Sequence, residues 1–154
     1  MWEDVELGEL LDYEQPTKYL VKDTLYDDSY TTTVLTAGKT FILGYTNETN
    51  GICKDLPVVI FDDFTTASKF VDFPFKAKSS AMKLLRPKPN ANLKFVYESM
   101  QLMNYSVGGH ERHWISKFVY LTIPCPTLEE QTAIAQVLQA ADKEISLLKA
   151  KAEK

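Results

Sequence analysis

Two clusters of side chains in this sequence could do metal-dependent chemistry. Residues 110–113 read HERH, and residues 62–63 are two aspartates that follow an apolar run. Imidazoles and carboxylates are metal ligands, so one hypothesis is a small metal-dependent nuclease that uses both clusters. The histidines, however, are three positions apart rather than the four of H-E-x-x-H, and two glycines precede them where a helix is required. The side chains of adjacent strand residues point to opposite faces of a sheet, so the two aspartates would not converge on one metal ion. A role in a turn is favoured instead.

A basic stretch offers a different chemistry, the binding of phosphate groups. Residues 76–94 contain six cations and no acid: Lys76, Lys78, Lys83, Arg86, Lys88 and Lys94. Lysines beside small hydroxyls, as in Lys78-Ser79-Ser80, are typical phosphate contacts, and an arginine such as Arg112 can pair with guanine. The alternative is a solvated edge surface whose lysines block aggregation. The complete lack of acids favours the phosphate hypothesis.

The composition bounds the class of protein. With 154 residues, 45% hydrophobic and 25% charged, the chain is expected to form one globular domain with an appendage. The longest apolar run, residues 56–61, is too short to span a membrane. The acidic start gives no sign of a secretory signal, and two isolated cysteines fit a reducing cytoplasm. The formal net charge of −4 argues against DNA binding by bulk charge, although a local basic face could still bind a polyanion.

The elements that must position these groups are mostly extended up to residue 89. Apolar and β-branched runs predict strands at 41–43, 57–61, 70–75, 82–85 and 115–123. Asn50-Gly51 predicts a turn. Between them, residues 90–104 carry apolar side chains at helical spacing, with Asn90 or Asn92 as the N-cap.

The C-terminal segment predicts a long helix. Thr127-Leu128-Glu129-Glu130 has the form of a capping box, and no glycine or proline follows it. Apolar residues recur at alternating spacings of four and three, which is the seam of a coiled coil. The seam residues expected to hold a partner helix are Ile134, Leu138, Ala141, Ile145 and Leu148. The alternative is an amphipathic helix that packs on its own domain.

Together these pieces resemble the specificity subunit of type I restriction–modification enzymes. Trp2 with Leu7-Gly8-Glu9 resembles the start of a target recognition domain, and residues 57–85 resemble the central part of one subgroup. The run 123–131, IPCPTLEEQ, resembles the signature that opens the spacer helix of the family. The resemblance implies a mixed, mostly β α+β recognition domain over residues 1–126, followed by a spacer or dimerisation helix over 127–154.

The resemblance also implies partners and a division of labour. This chain would recognise double-stranded DNA without catalysis or cofactor, while modification and restriction subunits would use S-adenosylmethionine, ATP and Mg²⁺. Its location would be cytoplasmic. A complete family member carries two recognition domains and two helices, so the chain is either a half-sized subunit that homodimerises or part of a longer one. A protein-interaction module with a packing helix stays open as the alternative.

On this hypothesis the candidate DNA contacts fall into two groups. The predicted phosphate contacts are Lys69, Lys76, Lys78, Ser79, Ser80 and Lys83. The predicted base contacts are Tyr45, Asn47, Thr65, Thr66, His110, Arg112 and His113. Lysines and hydroxyls would fix the register on the backbone, and polar loop side chains would read base edges.

Overall fold

A computed structural model describes residues 2–38, 40–103, 114 and 117–152 of the chain. The fold is mixed α+β, with several small sheets, short helices and a long C-terminal helix, which confirms the predicted class. The strands are β1 (Glu3–Glu6), β2 (Leu11–Glu14), β3 (Thr32–Leu35), β4 (Ile42–Thr46), β5 (Val58–Asp62), β6 (Ser68–Val71), β7 (Lys76–Ala77), β8 (Met82–Pro87) and β9 (Thr122–Cys125). The helices are α1 (Leu7–Leu10), α2 (Leu93–Gln101) and α3 (Leu128–Ala152), with 3₁₀ turns at Pro16–Tyr19 and Phe118–Tyr120.

A four-stranded sheet in the order β2-β8-β5-β6 separates two hydrophobic cores. Its neighbouring strands are all antiparallel. Side chains alternate between faces along a strand, so on β5 Val59 and Phe61 enter one core, and Val58 and Ile60 enter the other. We call these the first and second core. Because both faces are covered, the strand reads as a continuous apolar run rather than an alternating one.

Two smaller sheets complete the β structure. Strands β4, β3 and β7 form a three-stranded sheet in which β3 pairs antiparallel with β4 and parallel with β7. Leu35 of β3 and Ala77 of β7 lie in the second core. Strands β1 and β9 form an antiparallel pair, and Val5 and Ile123 pack on the first core. The N-terminal strand is thereby joined to the segment that leads into α3.

The prediction of a strand over 115–123 is wrong in its position. Residues 118–120 form a 3₁₀ turn, and the strand runs over Thr122–Cys125, with Pro124 inside it. Proline lacks an N–H and is accepted in edge strands, and both strands of a two-stranded sheet are edges. Pro124 therefore does not end the strand, contrary to what the sequence suggests.

Helix α2 confirms the helical spacing read from the sequence, over a shorter span than 90–104. Asn92 is the N-cap, since its side-chain oxygen accepts a hydrogen bond from the Phe95 N–H at 3.1 Å. Phe95, Val96 and Met100 are buried in the first core. The apolar face therefore joins the helix to the sheet.

Helix α3 begins as the capping motif predicts. The Thr127 hydroxyl accepts a hydrogen bond from the Glu130 N–H at 3.2 Å and donates one to the Glu130 carboxylate at 3.1 Å. The buried Gln131 side chain accepts from the Asn92 N–H at 2.9 Å and donates to the Pro126 carbonyl at 3.0 Å. The first turns of α3 are thereby fixed to α2. Among the described helices, none is long and apolar enough to cross a membrane.

Candidate nucleic-acid interface

The basic stretch of residues 76–94 is largely matched by acids from elsewhere in the chain. Five of its six cations form ion pairs, as follows: Lys76 with Glu48, Lys83 with Asp63, Arg86 with Glu14 and Asp55, Lys88 with Asp12, and Lys94 with Glu98 and Asp142. The acids missing from the local sequence are therefore supplied by folding. The stretch does not form a continuous strip of free positive charge.

Lys76 is not a surface residue, which corrects its assignment as a phosphate contact. Its side chain is 3% exposed, and its Nζ donates to the Asn50 carbonyl at 2.6 Å and lies 3.6 Å from Glu48. Nζ also donates to the carbonyl of Gly51 at 3.3 Å, and Gly51 has the positive φ of +64° that the Asn-Gly turn predicts. The ammonium group therefore stabilises this turn instead of facing solvent.

Lys83 is likewise buried, and its assignment as a phosphate contact is corrected for the same reason. Its Nζ lies 2.7 Å from Asp63, and both side chains are at most 2% exposed. The ammonium also donates to the Gln15 side chain at 3.3 Å and lies 5.7 Å from the centre of the Tyr13 ring. A phosphate group could not reach this ammonium without opening the sheet.

Arg86, on β8, is also held by ion pairs within the domain. Burial alone would lower the pKa of Arg86, but its hydrogen bond to Glu14 and the nearby Asp55 outweigh that effect and raise it. The guanidinium stays charged and bound within the domain. Its charge is matched by acids of the domain and is not free to bind a phosphate.

The remaining predicted phosphate residues do lie where a ligand could reach them. Lys78 and Ser80 are exposed, and Ser79 and Lys69 are half-buried. Lys78, Ser79 and Ser80 lie in the loop between β7 and β8. The Ser79 hydroxyl accepts a hydrogen bond from the Ala81 N–H at 3.1 Å, which fixes the turn of this loop.

The loop between β5 and β6 carries the predicted base contacts Thr65 and Thr66. Asp62 closes it, since its carboxylate accepts hydrogen bonds from the N–H groups of Phe64 at 2.8 Å and Thr65 at 3.0 Å. This confirms a turn role for Asp62. Thr66 has φ of +63°, a left-handed conformation that a β-branched residue rarely adopts. The exposed Thr65 and the half-buried Thr66 thus lie on a tightly defined turn.

The two loops lie side by side and form one edge of the domain. The Asp63 N–H donates to the Ala81 carbonyl at 2.9 Å, which joins the β5–β6 loop to the β7–β8 loop. We call residues 63–67 and 78–81 together the loop edge. The predicted contacts that it brings together are Thr65, Thr66, Lys78, Ser79 and Ser80.

The other predicted base contacts lie elsewhere. Tyr45 is half-buried on β4, in the three-stranded sheet, and Asn47 is exposed just after that strand. Neither residue belongs to the loop edge. His110, Arg112 and His113 lie outside the described residues. Trp114, the residue after His113 in sequence, donates its backbone N–H to Asp63 at 3.1 Å.

The two aspartates of the nuclease hypothesis have different surroundings. Asp62 binds backbone N–H groups of its own turn, whereas Asp63 is fully buried against Lys83. Their oxygens therefore do not converge on one cation. Over residues 2–38, 40–103, 114 and 117–152, no group of three or more His, Cys, Asp or Glu side chains is placed to hold a metal ion.

The predicted helix seam divides into two parts. Ile134 packs against the first core of its own chain, so its assignment to a partner helix is corrected, and Leu138 is half-buried. From residue 141 onward the described side chains of α3 are exposed, including Ala141, Ile145 at 50% and Leu148 at 58%. The alternative, a helix that packs on its own domain, thus holds for the beginning of α3.

Two features of the site went unnoticed in the sequence. Trp114 is fully buried, and Asp63 links three segments that are distant along the chain. A signal for Asp63 did exist, because an acid directly after a buried strand and a lysine in a later strand-forming run can meet across a sheet. Nothing local distinguishes this pair from the other lysines of the stretch.

Comparison with known proteins places the chain in a family. The sequence model of the type I restriction modification DNA specificity domain matches residues 1–154. The chain belongs to this family. It is 52% identical over 147 residues to the Escherichia coli type I restriction enzyme EcoR124I/EcoR124II specificity subunit. That alignment covers 89% of this chain and 36% of the relative, so the chain spans about a third of that protein's length.

Solved structures show the same fold. A type I restriction–modification S subunit from M. genitalium superposes with a TM-score of 0.73 at 18% identity, covering 97% of this chain and 41% of that one. The HsdS subunit from Thermoanaerobacter tengcongensis gives a TM-score of 0.54 at 16% identity, covering 97% and 39%. These likenesses support the fold described above, a mixed α+β globular part followed by a long helix.

Proposed function

We propose that this chain recognises a DNA sequence for a type I restriction–modification system. The observation that carries the proposal is the family match over the whole chain, supported by 52% identity to a protein named as a specificity subunit. The alternatives draw less support. The carboxylates of the nuclease hypothesis do not converge, and an interaction module alone gives no reason for this family match.

The loop edge supports a division between backbone and base contacts. Lys78 with Ser79 and Ser80 would hold phosphates, aided by Lys69 on β6, because exposed ammonium and hydroxyl groups bind phosphate oxygens. Thr65 and Thr66, on the neighbouring turn, would approach base edges. Tyr45, Asn47, His110, Arg112 and His113 remain sequence-based candidates for base contacts.

The proposed role is positional and leaves the chemistry to other subunits. The chain would direct adenine methylation by a modification subunit and cleavage by a restriction subunit, in the cytoplasm. S-adenosylmethionine, ATP and Mg²⁺ would be bound by those partners. On this proposal the loops of this chain would select the DNA sequence and take no part in the chemical steps.

The end of α3 supports a second proposal, pairing with another helix of the same kind. Ile145 and Leu148 lie on the predicted seam and are at least half exposed, and the seam residue Ala141 is also exposed. Burying such a stripe against a second helix removes apolar surface from water. The partner would be a second copy of this chain or the second helix of a longer subunit.

Mapping methylated adenines tests the proposed function. The chain is co-expressed with the modification subunit encoded beside it, and the genome is sequenced with single-molecule detection of methylated bases. A culture with the modification subunit alone is the control. A gapped palindromic motif supports both recognition and a two-fold dimer, since the symmetry of the site mirrors that of the protein.

The other outcomes separate the parts of the proposal. An asymmetric gapped motif supports recognition but contradicts the homodimer, because a second and different recognition domain must then be present. No methylation beyond the control, with both proteins soluble, contradicts the proposed function and favours the interaction module.

A further inference from the structure

One buried ion pair joins Asp63, the first residue of the loop edge, to Lys83 on β8. Asp63 is completely buried, Lys83 is 1% exposed, and the carboxylate and ammonium are 2.7 Å apart. Asp63 follows the last residue of β5, and Lys83 lies on the neighbouring β8. The pair therefore joins the central strands of the larger sheet at the point where the loops begin.

Asp63 makes three contacts, which join its own loop to residues 81–83 and to Trp114. Its N–H donates to the Ala81 carbonyl at 2.9 Å, in the loop that carries Ser79 and Ser80. One carboxylate oxygen binds Lys83, and the other accepts the backbone N–H of Trp114 at 3.1 Å. The backbone of Asp63 thus joins the two loops, and its side chain joins them to β8 and to the Trp114 backbone.

Trp114 is held from its other sides by aromatic rings. It is fully buried, with its ring 5.4 Å from Phe61 and 6.3 Å from Phe118, measured between ring centres. The aromatic contacts hold the ring, and the hydrogen bond to Asp63 holds the backbone. Asp63 thereby sets where the chain enters this cluster.

Stability alone does not require a charged pair at this place. Replacing a buried ion pair by apolar residues of similar volume is often neutral or stabilising, because both ions lose their hydration. An apolar residue at position 63 could fill the space, but it could not accept the Trp114 N–H. The acceptor function of the Asp63 carboxylate is therefore the part that packing cannot replace.

We propose that Asp63 is a positioning residue for DNA recognition, which holds the loop edge and the Trp114 backbone in one fixed arrangement without touching DNA. The inference rests on the proposed function. Recognition groups need supporting contacts that hold them close to the productive geometry, and base-specific contacts depend on that geometry more than phosphate contacts do. The expected signature is therefore a loss of discrimination between sites in a protein that still folds.

Two double variants separate the acceptor from the charge. Asp63→Asn with Lys83→Met removes the ion pair but keeps a carbonyl oxygen for the Trp114 N–H. Asp63→Leu with Lys83→Met removes both. Each variant replaces the chain in the co-expression experiment, and methylation at the wild-type motif is compared with methylation at sites one base pair away. Ile123→Val, a core change on β9, is the control for mild destabilisation.

The asparagine variant is expected to keep the wild-type ratio of motif to near-motif methylation. The leucine variant is expected to lower it by about fivefold or more, which is the discrimination of one base-pair contact. Hydrogen exchange at the Trp114 amide is expected to be faster in the leucine variant than in the asparagine variant. Asp63→Ala with Lys83→Met makes the same comparison if leucine prevents folding.

Three outcomes would overturn the inference, and a fourth would contradict the proposed function. The inference is overturned if a folded leucine variant keeps the wild-type ratio of motif to near-motif methylation. It is also overturned if the Trp114 amide exchanges equally fast in both double variants. A similar loss in the Ile123→Val control shows general destabilisation and also overturns it. A wild-type chain that directs no methylation contradicts the proposed function itself.

Discussion

Lys94 of α2 and Asp142 of α3 form an ion pair with 2.6 Å between Nζ and the carboxylate. The same ammonium lies 2.7 Å from Glu98 and 5.1 Å from the centre of the Phe70 ring. Burial alone would lower the pKa of Lys94, but the hydrogen bonds to Asp142 and Glu98 outweigh it and raise the pKa. The contact fixes the middle of the long helix to the globular domain.

Replacing Asp142 by Asn should loosen this attachment. The Asp142 side chain is 58% exposed, so solvent screening limits the expected loss to about 0.5–1 kcal/mol in the free energy of unfolding. Urea denaturation followed by circular dichroism measures it. Glu144→Gln, on an exposed position two residues further along, is the matched control and should change nothing. An equal loss in both variants would contradict the attachment.

Leu148→Asp should separate assembly from folding. Leu148 is 58% exposed, and an exposed substitution usually changes stability by less than about 0.5 kcal/mol. We expect a folded chain that has lost helix pairing, measured as circular dichroism and as molecular mass by light scattering at micromolar concentrations. Lys149→Ala, the neighbouring exposed change, should keep the mass of the wild type. A monomeric wild type under these conditions would count against the homodimer.

Lys78→Ala should weaken DNA binding equally on all sequences. Each ammonium that neutralises a phosphate releases counterions, so the negative slope of log affinity against log salt should become shallower by about one. Titration of a labelled duplex at several salt concentrations measures the slope, and Lys149→Ala at the far end of α3 is the control. An unchanged slope would remove Lys78 from the list of phosphate contacts.

Glu48→Gln should reduce stability near neutral pH but not in acid. Burial raises the pKa of Glu48, whereas hydrogen bonds from the backbone N–H groups of Asp23 and Lys22, together with Lys76, lower it more. A depressed carboxyl pKa contributes stability above its unfolded value of about 4.3, and this is lost as the pH falls through the folded pKa. The stability difference from wild type should therefore shrink below pH ~4. The exposed variant Glu9→Gln should show no such convergence.

Local signals predicted local structure well. The cap of α2 at Asn92, the cap of α3 at Thr127 and the turn at Gly51 all depend on residues within a few positions of one another. Backbone geometry and short-range side-chain hydrogen bonds favour such features whatever the distant parts of the chain do. The strand at residues 57–61 was also recognisable, because β5 is apolar on both faces.

Features that depend on distant residues were misjudged. The basic stretch was interpreted as a phosphate strip because no acid lies within it, yet Arg86 pairs with Glu14, which is 72 positions away. Lys83 finds its partner just after the adjacent strand β5, and Lys76 finds its partner after β4. A sequence shows which charges are near along the chain, but only the fold shows which are near in space.

The internal pairing of the basic stretch has a consequence for how such a domain would search a genome. Proteins slide along DNA through free cations that follow the phosphates irrespective of sequence. Here five of six cations in residues 76–94 are held by acids of the same chain. Visits to non-target DNA would therefore be brief, and the search would proceed by repeated release and collision. Long residence would be reserved for the site at which the loops fit the bases.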